Sequence, residues 1–291
     1  MCRTCGCDLE RSSDVSGGTH AHDATREEAE ASESVHARSR STRSEEHHEL
    51  DRVAQSRPRL RSRGPALPIS HTRAALKTVR LQRDLLAKND AVAATTRRRL
   101  AGLGVRMFNL IGAPGSGKTA LLEATIQKLE GRARMAVIEG DQATELDAER
   151  IRRTGCHALQ INTGAGCHLD AEMVIEGVRA IAPGPGSIVF VENVGNLVCP
   201  ALFDIGEQSK VIVMSVTEGE DRPLKYSRAF RAADLLLLSK VDLLPYLDFD
   251  MSRCIAHAAK VNPELRLIPV SAKSGDGIQD WCEWLESRRA I

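Results

Sequence analysis

Residues 106–119 read Arg-Met-Phe-Asn-Leu-Ile-Gly-Ala-Pro-Gly-Ser-Gly-Lys-Thr. The first six, Arg106–Ile111, are an apolar run of strand length. The last eight, Gly112–Thr119, satisfy the phosphate-loop pattern G-x-x-x-x-G-K-[ST] in full, and a helix-forming run, Ala120–Glu130, follows. Gly112, Gly115, Ser116 and Gly117 let backbone N–H groups turn inward around phosphates. Lys118 puts a positive charge on the β- and γ-phosphates, and the Thr119 hydroxyl ligates Mg²⁺. The N-terminus of the following helix adds its partial positive charge.

Outward from this loop the pattern alternates strand and helix. Further strand candidates are Arg134–Glu139, Ala158–Asn162, Ser187–Glu192, Lys210–Val216, Leu235–Ser239 and Leu265–Val270. These short apolar runs suit strands covered on both faces. Amphipathic stretches of helical length separate most of them. The chain therefore reads as α/β, a P-loop NTPase with a mostly parallel sheet flanked by helices. On the N-terminal side, Thr72 to Leu100 has helical spacing, with Leu76 and Val79 three apart and Leu81 and Leu85 four apart. The NTPase domain with this leading helix is expected over 71–291. Residues 8–70, rich in Ser, Arg, Glu and His, cannot bury enough apolar surface to offset chain entropy and read as a disordered tether. Residues 1–7 form a separate cysteine motif.

Composition excludes several classes. With 40 basic against 39 acidic residues in 291, there is no electrostatic case for nucleic acid as the main partner. No apolar stretch is long enough for a membrane span, and the N-terminus MCRTCGCDLE lacks the apolar core of a secretory signal. The expected location is the cytoplasm, where the eight cysteines suit metal or redox chemistry better than a disulfide scaffold. Aromatics are 3% of the chain, so the core rests on Leu, Val, Ile and Ala.

The base is expected to be guanine. Ser239-Lys240-Val241-Asp242 ends an apolar strand and resembles the N-K-x-D motif of GTPases, with Ser239 in place of Asn. The Asp242 carboxylate would accept from guanine N1–H and the exocyclic amine, a donor pair that adenine lacks, while the Lys240 stem packs along the base. Ser271-Ala272-Lys273 resembles the S-A-K loop whose backbone faces the guanine carbonyl. Two acids end strands and point into the crevice where ligands bind in this fold class: Asp141 and Glu192. Glu192 would hold Mg²⁺ directly or through water, Asp141 would contact Mg²⁺ or orient the attacking water, and the Gly195 N–H would approach the γ-phosphate. No arginine finger is apparent, so unaided turnover should be slow.

Two groups of residues suit transition metals. Cys2, Cys5 and Cys7 place three thiols within six residues. With the α-amine exposed by loss of Met1, they make an S₃N set suited to Ni²⁺ or Cu²⁺, whereas Zn²⁺ would need a fourth ligand such as His20 or His22. Inside the domain, Gly166-Cys167-His168 opens the helix after the third strand, and Cys199 follows Glu192 and Gly195 on the loop after the fourth. A metal held by Cys167, His168 and Cys199 would sense the nucleotide through a few residues; small buried thiols are the alternative. His36, His47 and His48 stud the tether with His20 and His22 and would bind metal only loosely.

These motifs together resemble the HypB family of hydrogenase nickel-incorporation GTPases. That pattern has C-x-x-C-G-C (Cys2, Cys5, Cys7), G-x-P-G-S-G-K-T, E-G-D ending at Asp141, C-H-L-D from Cys167, and E-N-V-G-N-L-V-C-P over Glu192–Pro200. It also has T-E-G-E-D-K-P-L-K-Y, here Thr217–Tyr226 with Arg222 for the usual Lys. The resemblance covers nearly all of 72–291 plus 1–7. It implies GTP hydrolysis with Mg²⁺, and Ni²⁺ (or Zn²⁺) at Cys167, His168 and Cys199. It also implies nucleotide-dependent homodimers, a HypA-type zinc/nickel accessory protein, and a hydrogenase large-subunit precursor as recipient of nickel. A related metal-delivery GTPase for another nickel or cobalamin enzyme is the alternative.

Overall fold

The computed structural model describes residues 69–142, 144–164 and 166–288, with side chains of the leading helix from Arg83 onward. All of them fall in one unit, Ala66–Ile291. Cys2, Cys5, Cys7 and the histidines of the tether lie outside the described residues.

The elements run α1 (Ile69–Gly102), β1 (Arg106–Ile111), α2 (Lys118–Lys128), β2 (Met135–Asp141), α3 (Leu146–Arg153), β3 (His157–Asn162), α4 (Ala171–Ile181), β4 (Ile188–Glu192) and β5 (Ser209–Ser215). There follow α5 (Arg222–Lys225), α6 (Ser227–Ala232), β6 (Leu235–Ser239), α7 (Met251–Val261), β7 (Arg266–Pro269) and α8 (Ile278–Ser287), with 3₁₀ turns at Val216–Glu218 and Val241–Tyr246. The seven strands form one sheet in the order β3-β2-β4-β1-β5-β6-β7. Every pairing is parallel, where the sequence pointed only to a mostly parallel sheet.

Alternation along the strands feeds two cores. Phe108, Leu110, Val137, Phe190, Val211, Val213, Leu235 and Leu237 pack against Leu121 and Leu122 of α2 and Trp281, Trp284 and Leu285 of α8. On the other face Met107, Ile138, Val189 and Val191 meet Leu100 of α1 and Val174, Val178 and Ile181 of α4. Further along that face, Ile212, Met214, Leu236 and Leu238 meet Ala229 and Phe230 of α6 and Cys254 and Ala258 of α7. A side chain such as Phe108 or Leu236, buried on both flanks, gains about 1.5–3 kcal/mol from its removal from water. Asn109 is a polar exception: it sits in mid-strand β1, fully buried.

Because the strands are parallel, all seven carboxyl ends open on one edge. β1 and β5 are neighbours, and the chain leaves β1 through α2 on one face of the sheet and β5 through α6 on the other, so a crevice opens at the ends of these strands. The phosphate loop, the end of β2 and the loop after β4 meet there.

Candidate functional site

The phosphate loop can follow its path only because of its glycines. A Cβ on Gly112 would lie 2.3 Å from the carbonyl oxygen of Val213 on the neighbouring strand. Gly115 and Gly117 both have positive φ, and Gly117 caps α2 without a side chain. The first N–H groups of α2 are thus left to an anion. The Lys118 ammonium, nearly buried, donates to the carbonyls of Gly112 (3.4 Å) and Ala113 (3.3 Å) inside the loop. These long bonds hold the charge at the centre of the cradle.

Facing the loop, the Thr119 hydroxyl donates to Glu192 Oε1 at 2.9 Å. Glu139, two residues before Asp141, lies against Glu192 and is 2% exposed. Burial, then the neighbouring Glu192 carboxyl, pushes Glu139 well above the usual carboxylate range. Burial also raises Glu192, opposed by Lys118 and by the hydrogen bonds from Glu139 and Thr119. Apart from each other's carboxyl, Glu139 Oε1 and Glu192 Oε2 have no hydrogen-bond partner among the described residues. A pair of buried carboxyls short of donors, beside a Thr hydroxyl, is a donor set that a hard divalent cation satisfies. Asp141, at the end of β2, accepts from Gln142 N (2.6 Å) and from Thr144 Oγ1 (2.6 Å). These groups line a cleft of about 450 Å³ together with Gly195 and Lys240. A Cβ on Gly195 would meet Pro114 Cγ at 2.9 Å, so the glycine lets the loop after β4 lie against the phosphate loop.

A second pocket of about 290 Å³ adjoins the cleft across Gly117 and Lys240, and is lined by Ser239, Asp242, Ser271, Ala272 and Lys273. The sequence motifs expected to hold a base therefore converge. Ser239 is buried and its hydroxyl donates to the Ser116 carbonyl at 2.5 Å, tying the end of β6 to the phosphate loop. Lys240 takes a left-handed backbone (φ 61°) and its ammonium donates to the Gly115 carbonyl at 2.6 Å. Asp242 Oδ1 accepts from the Ser271 hydroxyl at 2.6 Å, and that hydroxyl accepts from the N–H of Lys273 (3.2 Å) and Ser274 (3.1 Å). The S-A-K loop is thus built around the acid that faces the pocket.

On the far side of the loop after β4, Cys167, His168 and Cys199 come together with ligand atoms within 4.8 Å of one another. They form the one cluster of three or more His, Cys, Asp or Glu side chains close enough to share a metal among the described residues. The two sulfurs are 2.7 Å apart as free thiols, and Cys167 Sγ lies 3.6 Å from His168 Nδ1. The hydrogen bond with Cys199, then burial, raises the Cys167 thiol. Burial lowers His168, whose ring lies against Phe203 (centroids 4.0 Å apart) and so favours the neutral, ligating form. Asp170 fixes the start of α4 just beyond, its side chain accepting from Met173 N at 2.9 Å. Two sulfurs and an imidazole suit Ni²⁺ or Zn²⁺ and leave a position for a further ligand. The other described cysteines are separate; burial pushes Cys156, Cys254 and Cys282 each up to about 11.

The family described as CobW/HypB/UreG, nucleotide-binding domain, matches residues 106–269. The hydrogenase maturation factor HypB of Rhizobium leguminosarum bv. viciae is 56% identical over 218 residues, covering 74% of this chain and 73% of that protein. The chain belongs to the HypB family. The HypB of Escherichia coli K12 is 54% identical over 206 residues, 71% of each chain. Among solved structures, HypB from Archaeoglobus fulgidus superposes with a TM-score of 0.65 at 38% identity, covering 69% of this chain and 98% of that one. HypB from Helicobacter pylori in complex with nickel gives a TM-score of 0.65 at 34% identity, covering 68% and 94%. The chain is thus a P-loop NTPase of the HypB family. No described helix is long and apolar enough to cross a membrane.

Every candidate residue within the described part falls in one of these three neighbouring places. Sequence reading passed over Glu139, which stands two residues from Asp141 in the E-G-D stretch and differs only in burial. It also passed over Arg150, which borders the cleft but is held by Glu123 (2.6 Å), and over Asn193, which the E-N-V-G-N-L-V-C-P stretch contains without marking a role for it.

Proposed function

We propose that this chain is a GTP-hydrolysing nickel metallochaperone that helps to insert nickel into [NiFe]-hydrogenase during maturation. The observation that carries the reading is that one eight-residue stretch, Glu192–Cys199, borders the phosphate cleft at one end and supplies a thiol to the Cys/His cluster at the other.

In the hydrolytic step a water oxygen bonds to the γ-phosphorus, and the bond to the β,γ-bridging oxygen breaks with its electron pair leaving on GDP. The proton passes to the released phosphate. Lys118, freed from the loop carbonyls, neutralises charge on the β- and γ-phosphates. Asp141 orients the attacking water. Asp242 reads guanine N1–H and the exocyclic amine, Lys240 packs on the base, and Ser271, Ala272 and Lys273 close the pocket. Thr119, Glu192 and Glu139 would hold Mg²⁺, which when bound neutralises phosphate charge. Such catalysis is mostly positioning and electrostatics.

Cys167, His168 and Cys199 carry Ni²⁺ as cargo, with Zn²⁺ as a competing occupant, and Cys2, Cys5 and Cys7 form a second, N-terminal site. The position left open at the internal site suits a ligand from a second copy in a nucleotide-dependent homodimer. Nickel then passes, with a HypA-type zinc/nickel accessory protein, to the hydrogenase large-subunit precursor in the cytoplasm. The test is to measure GTP and ATP hydrolysis and Ni²⁺ binding on the same purified chain. Selective GTP turnover with one Ni²⁺ lost on Cys167→Ala/Cys199→Ala is expected. ATP turnover equal to GTP turnover, or Ni²⁺ binding unaffected by that double change, overturns the proposal.

A further inference from the structure

The loop edge holds both sites, but a buried polar chain beneath it joins them by a second route. Asn193 follows Glu192 and is 1% exposed. Its side-chain oxygen accepts from Leu169 N at 3.0 Å, the residue after His168, and from Val194 N at 3.1 Å, the residue before Gly195. Its amide donates to Asn109 Oδ1 at 3.3 Å, in the middle of the strand that leads into the phosphate loop. Asn109 in turn donates to Glu207 Oε1 at 3.3 Å. Glu207 pairs with Lys210 at 3.2 Å, both 7% exposed. The Lys210 ammonium donates to the carbonyls of Pro200 and Phe203, each at 3.1 Å. Pro200 follows Cys199, and the Phe203 ring lies against His168. Both jaws of the Cys/His cluster, residues 168–169 and 199–203, are therefore anchored to one network that starts beside Glu192.

Stability does not account for this arrangement. Four buried polar or charged side chains placed where Val or Leu would pack are about neutral at best, even fully satisfied. What they supply is directional: each partner accepts one geometry, so a shift at one end is either transmitted or leaves a buried group unpaired at a cost of about 1–3 kcal/mol. None of Asn109, Glu207 and Lys210 lines the nucleotide cleft or belongs to the metal cluster.

We infer that the chain Asn193–Asn109–Glu207–Lys210 is the element that couples nucleotide state to metal affinity, with Asn109, Glu207 and Lys210 as positioning residues. This rests on the nickel and guanine-nucleotide reading above. The test is Ni²⁺ titration of the full chain carrying Cys2→Ala, Cys5→Ala and Cys7→Ala, followed by thiolate-to-nickel absorption, with GDP or with a non-hydrolysable GTP analogue and Mg²⁺. The parent is expected to show Ni²⁺ dissociation constants that differ between the two nucleotides by at least about fivefold. Asn109→Leu should bring them within about twofold of each other, leaving nucleotide affinity and nucleotide-free Ni²⁺ affinity within about threefold of the parent. Should Asn109→Leu lose cooperative unfolding, the charge-neutral pair Glu207→Gln/Lys210→Met carries the same expectation. Folded variants that retain the parent's nucleotide dependence overturn the inference, as does a parallel loss of Ni²⁺ affinity in both nucleotide states. So does a parent that binds both ligands with no dependence between them. A parent that binds no Ni²⁺ at this cluster, or no guanine nucleotide, overturns the proposed function instead.

Discussion

Asp242→Asn should exchange guanine for xanthine selectivity without disturbing the pocket. The Asp242 Oδ1 that accepts from Ser271 Oγ at 2.6 Å persists in asparagine as the amide oxygen, so the S-A-K loop keeps its anchor. What changes is the second oxygen, which becomes an NH₂ facing guanine donors. One charge-assisted hydrogen bond, worth about 1.5–3 kcal/mol, is lost, and the surviving one weakens by about 0.5–1 kcal/mol as its acceptor becomes neutral. The sum, about 2–4 kcal/mol, corresponds to GDP binding weaker by about 30- to 1,000-fold. Xanthine carries an oxygen where guanine carries the amine, and that oxygen accepts from the new NH₂, so XDP should bind the variant better than the parent. Equilibrium titration with a fluorescent GDP analogue, displaced by GDP, XDP and ADP, measures all three. A variant that binds GDP within about threefold of the parent would refute the placement of the base between Lys240 and Asp242.

Lys118→Ala should lower GTP turnover by at least about 100-fold, measured by phosphate release, while Ni²⁺ binding at Cys167, His168 and Cys199 without nucleotide stays unchanged. Cys199→Ala removes one of three donors and should weaken Ni²⁺ binding at the internal site by more than about tenfold, read by competition with a chelator of known affinity. Trp281 is fully buried, stacks on Trp284 with centroids 5.5 Å apart, and donates to Thr125 Oγ1 at 2.9 Å. Trp281→Phe should cost about 2–3 kcal/mol, seen as a lower urea midpoint at constant slope. At Asp204, burial works upward, but the Gly206 N–H and the Arg97 guanidinium (2.6 Å) prevail and hold the carboxyl below its ordinary 3.8. A depressed folded-state value adds stability above the unfolded value and loses it as pH falls through the folded one. Asp204→Asn should therefore cost about 0.5–1 kcal/mol at neutral pH, a gap that closes in unfolding curves taken below about pH 4.

The architecture was written plainly in the strands. Arg106–Ile111 and Leu235–Ser239 match their expected bounds, because each is a short apolar run closed by a loop of fixed chemistry. Elsewhere the limits move by one or two residues: β2 continues to Asp141, since Gly140 and Asp141 pair with Ile161 and Asn162 despite their weak strand propensity. The three groups of candidate residues were legible because the phosphate, base and metal chemistry proposed for them each demands particular residue types at short spacing. The rest was illegible for a reason of distance. Glu139 looks like any acid until the sheet buries it against Glu192. Ser239 looks like a defective asparagine until its hydroxyl is seen on the Ser116 carbonyl, 123 residues away. Asn109 lies 98 residues before Glu207 and its near neighbour Lys210, and only the β1–β5 pairing brings them together.

The bonds from Ser239 to Ser116 and from Lys240 to Gly115 tie the two halves of the nucleotide site together. Guanosine and pyrophosphate, offered as separate fragments, would each meet a half already tied to the other. Joining them spares the second fragment the rotational and translational freedom it would otherwise surrender. The span between the halves is then a fixed ruler: a linker one atom too short or too long forfeits that advantage, and a synthetic ligand is best designed to its length.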